Sequence, residues 1–293
     1  MMFENIEQVI AIVGCQRSGT TLTGQILGAH PNALLIDETD GLYKWFNQIQ
    51  SSVNPLEFST SLLRKAIKKY TSNHSRTIET SKSSSDAGDD IKLSSHVTHL
   101  ILKAPNLTYS YSSFAKLCVP VKVVYPVRDV RAVVSSMEKL PHIPFIENQI
   151  RWINRNDVIA KRFANELMEL NSSNLNDNEK RAIIWKIKTG LASDFRSAGL
   201  PVKPFRYEQL ISNRQKTVRE IANFTDLSFS ESMLAHENTY VGLGPGGTKR
   251  SRSIDNKSLN KWRNHMPLKS EMEILRIAAP LLNSLGYSSL PNY

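Results

Sequence analysis

Cysteine is nearly absent from this chain: 293 residues hold two, Cys15 and Cys118, far apart in sequence. So few thiols exclude a disulfide scaffold and a cysteine-built zinc site, and they point to a reducing, cytoplasmic setting. The seven histidines are no better placed for a metal. His74, His96, His99, His142, His236 and His265 lack ligand spacing, and His30 reads as structural before Pro31. Long apolar runs are missing too. The first, Val9 to Val13, is too short for a signal peptide, and no later run approaches a membrane span. Zinc-finger cysteines, an aromatic RNA-binding motif and a helix-turn-helix pattern are also lacking, so no nucleic-acid partner is expected. What remains is a chain with 40% apolar residues, enough for a large core, and a net charge of +10 that favours an anionic ligand.

The most informative stretch is Val9 to His30. A β-branched run ends at Gly14, a polar loop follows, and helical spacing resumes through Leu22, Ile26 and Ala29. Strand, loop and helix in that order aim the loop N–H groups and the helix dipole at one point, a natural anion site. Gly14 and Gly19 have the spacing of a P-loop, but Thr20 stands at the lysine position and the cation has moved into the loop as Arg17. The anion site is kept, and the usual ATP chemistry is lost.

Further strands are expected over Leu34 to Ile36, His96 to Leu102, Val121 to Val127 and Val202 to Phe205. Helices are expected from Pro55, from Arg128, over Phe145 to Leu170, over Asn178 to Ala198, around Arg214 to Phe224 and over Lys269 to Leu285. This alternation predicts an α/β fold, a three-layer sandwich with a central, mostly parallel sheet of the P-loop NTPase type. One domain should span residues 1–293, with a flexible insertion at 71–90, where Ser, Thr, Asp and Lys displace apolar residues. Ligands of such sheets gather beyond the carboxyl ends of the strands. Gly14, Glu38, Lys103 and Arg128 all fall at such ends.

A second anion site follows from Arg128 and Ser136, eight positions apart and so near two helical turns. With Gln16, Arg17, Ser18, Gly19, Thr20 and Thr21 in the first loop, the pair suggests a nucleotide phosphorylated at two places. The chain here resembles sulfotransferases that use 3′-phosphoadenosine 5′-phosphosulfate (PAPS). Their [KR]-S-G-T-T loop for the 5′-phosphosulfate reads Arg17-Ser18-Gly19-Thr20-Thr21, and their R-D-P-R-x-x-x-x-S motif for the 3′-phosphate reads Arg128-Asp129-Val130-Arg131 through Ser136. The tyrosine near the adenine, in a phrase like R-Y-E-D-L, matches Tyr207. The late [RK]-W-R segment matches Lys261-Trp262-Arg263, with Ser251 and Arg252 beside it as further phosphate ligands. Four motifs in order span most of the chain.

The resemblance implies PAPS as co-substrate with no metal required. It also implies a base: the glutamate of the protein-tyrosine and other Golgi-type enzymes follows H-P-x-x-x-x-x-x, and His30-Pro31 precedes Glu38-Thr39 at that spacing. Asp37 and Asp40 are its near competitors, and Asp40 departs from the family's E-T-R. Lys103 matches the lysine of K-[ST]-P and is expected to neutralise the departing phosphate; the histidine base of the cytosolic branch has no counterpart, since Ala104 and Pro105 follow. Transfer of a sulfuryl group to a hydroxyl or amine of a small-molecule, glycan or peptide acceptor is the reading that follows, and a homodimer is compatible with it. Two rivals are carried: an ATP-dependent P-loop kinase or NTPase with Asp129 as a metal-binding carboxylate, weakened by the absent lysine and by Pro126 interrupting its strand; and a non-catalytic module for binding polyanions.

Overall fold

The computed structural model describes residues 5–38, 40–51, 78–81, 90–93, 96–117, 119–240, 243, 249, 251 and 253–291. Among these residues seven strands form: β1 (Gln8–Ile12), β2 (Ala33–Ile36), β3 (Ile78–Ser81), β4 (Asp90–Leu93), β5 (His99–Lys103), β6 (Val121–Val127) and β7 (Val202–Arg206). The helices of eight or more residues are α1 (Thr20–Gly28), α2 (Asp40–Ser51), α3 (Val130–Glu138), α4 (Phe145–Asn154), α5 (Ala164–Asn171), α6 (Asp177–Gly190), α7 (Arg214–Phe224) and α8 (Leu268–Ser284). Five strands form one sheet in the order β2-β5-β1-β6-β7, and every pairing in it is parallel.

The strand β1 shows why both faces are covered. Its residues alternate between two apolar cores: Val9 and Ala11, with Val13 just beyond, join one, while Ile10 and Ile12 join the other. Residues of α3, α6 and α8 pack on the first face, and α1 and α7 on the second, which gives the three layers. A third cluster gathers Ile146, Ile153, Ile159, Leu170, Ile183 and Ile187 into a helical annex beside the sheet.

Two expectations need correction. The helix foreseen over Phe145 to Leu170 is broken into Phe145–Asn154, Asp157–Arg162 and Ala164–Asn171. Asn156 breaks it, accepting from the Ile159 N–H as an N-cap and donating through Nδ2 to the Tyr109 carbonyl at 3.0 Å. Pro126 does not interrupt β6, for it stands opposite Phe205 of β7 in unbroken register. Because β1 pairs with β6 only as far as Val124, the missing N–H falls where β6 has a neighbour on one side alone. Of residues 71–90, β3 and the first residue of β4 are described; β3 runs antiparallel to β4, with Ile78 opposite Leu93 and Ser81 opposite Asp90. The rest of residues 71–90, the helix foreseen from Pro55 and Cys118 lie outside the described residues.

His30, His99 and His236 are buried, and burial holds each imidazole below its ordinary pKa of 6.5. The unfolded chain therefore binds protons before the folded one does, so this part of the stability is whole above pH 6.5 and is lost as pH falls below it. The melting temperature should drop between pH 7.5 and 5.5, and less so in a His236→Gln variant. A flat profile in the wild type contradicts this.

Candidate active site

Because the five strands run the same way, their carboxyl ends share one edge, and the residues that follow converge there: Gly14 after β1, Asp37 and Glu38 after β2, Lys103 at the end of β5, Arg128 after β6 and Tyr207 after β7. A cleft of about 470 Å³ opens on it. Its wall includes Arg17, Gly19, Thr20, Thr21, Arg128, Ser136, Tyr207 and Lys261, so residues of all four sequence motifs meet around one space.

The loop is held in an uncommon backbone conformation. Gly14 and Gly19 have φ of 120° and 95°, and Arg17, which has a Cβ, is also left-handed at 67°. Thr108 Oγ1 accepts from the Gly14 N–H at 2.7 Å and anchors the loop to the turn after β5. Ser18 is buried, and its Oγ has no partner among the described atoms. An unmet hydroxyl inside a loop of this shape fits an anion lying there. Tyr207 packs directly on Gly19, and its hydroxyl is 3.0 Å from Ser258 Oγ.

The two cationic positions are coupled. Arg17 Nε donates to Ser136 Oγ at 3.0 Å, so the first-loop arginine reaches the serine of the second anion site. Arg128 donates to the Arg17 carbonyl at 3.1 Å and the Ser258 carbonyl at 2.7 Å, and its guanidinium lies 4.4 Å from the centre of the Tyr207 ring. These hydrogen bonds all end on neutral oxygens. Burial and the charge of Arg128 push the pKa of Arg17 down, and they outweigh the opposing influence of Tyr207 and Glu38. Asp129, by contrast, is already committed. It caps α3 and takes Arg131 on both oxygens, at 3.0 and 2.7 Å; Arg131 also bonds Glu271 and lies over the Trp262 ring. The carboxylate that a kinase reading needs for a metal is thus bound into the frame behind Arg128.

On the opposite side of the loop, Lys103 Nζ lies 2.5 Å from Glu38 Oε1 and 2.9 Å from Asp37 Oδ1. Burial opposes the lysine's charge, but the two carboxylates outweigh it and hold its pKa above the ordinary value. Lys103 and Asp37 are 0% and 2% exposed and Glu38 is 25% exposed, so Glu38 is the carboxylate of the pair that an incoming group can reach. Its other oxygen receives the Tyr43 hydroxyl at 3.4 Å. The aliphatic stem of Lys103 packs on Gly24 of α1, where a Cβ would come within 3.2 Å of its Cγ.

Some expected residues are placed differently. Gln16 does not line the cleft; it turns to Asn106 and to Lys188, a fully buried lysine that no motif pointed to. Ser251 is exposed and does not line the cleft, whereas Lys249 and Ser253 do. Arg252 and the glycines 242, 244, 246 and 247 of the basic segment lie outside the described residues.

The contact between Gly19 and Tyr207 makes a sharp test. A Cβ on Gly19 would meet Tyr207 Cε2 at 2.9 Å, in a left-handed backbone that L residues resist. Gly19→Ala should weaken nucleotide binding by about tenfold or more while the sheet stays folded, as read by calorimetry beside circular dichroism. Unchanged affinity contradicts the packing described here.

Comparison with known proteins adds an independent line. The sequence profile of the Sulfotransferase family matches residues 9–231. A Caenorhabditis briggsae protein with a provisional protein-tyrosine sulfotransferase name is 26% identical over 315 aligned positions, covering all of this chain and 94% of that one. Protein-tyrosine sulfotransferase 1 of Danio rerio is 25% identical, covering 97% and 74%. Among solved structures, the sulfotransferase domain of the Synechococcus PCC 7002 olefin synthase covers 98% of this chain and 97% of its own, at 16% identity and a TM-score of 0.55, which supports the fold. The profile match over most of the chain and the motif residues gathered on one cleft lead to one statement: this chain belongs to the Sulfotransferase family.

Proposed function

We propose that the chain transfers the sulfuryl group of PAPS to the hydroxyl of a peptide tyrosine. The observation that carries the donor half is the pair of guanidinium groups, Arg17 and Arg128, on one cleft, whose hydrogen-bond partners among the described residues are neutral oxygens. A ligand with two separated anionic groups supplies opposing charge: a 5′-phosphosulfate over the loop Ser18 to Thr21, and a 3′-phosphate between Arg128 and Ser136. Tyr207 and Lys261 border the nucleoside. The acceptor half is supported by the names of the relatives and by the partial exposure of the Glu38 side chain, 25% against 2% for Asp37.

The acceptor oxygen attacks sulfur, a new S–O bond forms, and the bond from sulfur to the bridging phosphate oxygen breaks. The acceptor's proton passes to Glu38, and the products are a sulfate ester and adenosine 3′,5′-bisphosphate. Protonation of Glu38 loosens its hold on Lys103, whose ammonium can then turn to the departing oxygen. Asp37, 2.9 Å from the same ammonium, remains its partner. The remaining contribution is positioning and fixed positive charge, with Arg17 between the two anionic ends.

Incubation with labelled PAPS and a tyrosine-containing peptide tests the reading. Label should move to the peptide, and Glu38→Gln should lower kcat by about a hundredfold with binding of adenosine 3′,5′-bisphosphate nearly unchanged. Transfer at the wild-type rate by that variant removes Glu38 from the mechanism. Transfer to a glycan or small hydroxyl compound, but not to the peptide, overturns the acceptor assignment alone.

A further inference from the structure

Beneath the anion loop lies a polar cluster that the mechanism above does not use. Its centre is Lys188, in the last turn of α6, with a fully buried side chain. The ammonium donates to Gln16 Oε1 at 2.8 Å, Gln149 Oε1 at 3.2 Å and Asn106 Oδ1 at 3.3 Å. Those three acceptors come from separate parts of the fold: the donor loop, α4 and the turn after β5. They are also tied to one another, for Gln16 and Gln149 each donate to Asn106 Oδ1, at 2.6 and 3.2 Å. Asn106 further hydrogen-bonds Tyr43, whose hydroxyl donates to Glu38. A buried lysine whose hydrogen-bond partners among the described residues are all amide oxygens is an expensive feature, since these partners carry no opposing charge.

We propose that Lys188 is a positioning residue of the transfer site: its ammonium joins the donor loop, through Gln16, to the Glu38 side, through Asn106 and Tyr43, and adds a buried positive charge beneath the bound donor. The proposal rests on the donor reading above.

The groups facing Lys188 support a readout. Glu38 and the Cys15 thiol favour its charged form. Burial holds that thiol up at about 12, so it stays neutral, and Glu38 is left as the anion acting on the lysine. The Tyr109 ring lies 5.1 Å from the ammonium, and the Tyr125 hydroxyl donates to the Lys188 carbonyl. Burial outweighs these influences and lowers Lys188 to about 7. Negative charge arriving on the loop favours the ammonium, so donor binding draws a proton to Lys188 and is weakened at higher pH.

Titration calorimetry with adenosine 3′,5′-bisphosphate at pH 6.5 and 8.0 tests this in the wild type, Lys188→Met and Asn106→Asp. The ligand's own phosphate titration is common to all three. The wild type should lose about fivefold more affinity between the two pH values than either variant. Lys188→Met removes the titrating group. Asn106→Asp keeps the side-chain size and gives the ammonium a carboxylate that holds it charged, so the test survives if the first variant fails to fold. Equal affinity ratios in wild type and folded variants overturn the role of Lys188. Failure of the wild type to bind the nucleotide at either pH refutes the donor reading, and this inference with it.

Discussion

A sheet covered on both faces admits charge only at its ends, and this constraint arranges the molecule. The strands β1, β2 and β5 are buried along their whole length, so Lys103 enters the sheet only as the final residue of β5, and the carboxylates that neutralise it come from the residues just after β2. Parallel pairing then brings every such end to the same side. The concentration of cations, carboxylates and a tyrosine at one edge follows from polarity and burial together. Two opposed electrostatic situations result at one edge of the sheet. Lys103 is paired with two carboxylates, while the hydrogen bonds of Arg17 and Arg128 end on neutral oxygens among the described residues. A donor that brings anions to the arginines, and an acceptor that brings a proton to Glu38, each relieve one side of that imbalance.

Much of this was legible in the chain because the signals were local. A β-branched run ending at glycine, followed by helical spacing, specifies strand, loop and helix without reference to the rest of the fold. The alternation of such units predicted a mostly parallel sheet, and the observed one is wholly parallel. Arg128 and Ser136 were paired by helical arithmetic alone, and they do line one cleft. Glu38 was favoured over Asp37 by motif position, and the structure distinguishes the two by exposure.

What was not legible depended on distant contacts. The break at Asn156 is reinforced by the Tyr109 carbonyl, forty-seven positions away, and Pro126 is tolerated because β1 ends its pairing before reaching it. The bond from Arg17 to Ser136 joins two motifs that spacing could only treat separately. Lys188 did leave a trace. It follows Ile184 by four residues on the apolar side of α6, where a lysine should have prompted a search for buried oxygens. Their source, the amides of Gln16, Asn106 and Gln149, could not be inferred from spacing.

The central claim is a nucleotide site with two anionic ends served by protein cations. Its most direct test compares the affinity of adenosine 3′,5′-bisphosphate with that of adenosine 5′-monophosphate, in wild type and Arg128→Ala. The account predicts about a hundredfold preference for the bisphosphate in the wild type, largely lost in the variant. Equal affinity for the two nucleotides, or tighter binding of ATP with Mg²⁺ than of the bisphosphate, would contradict it.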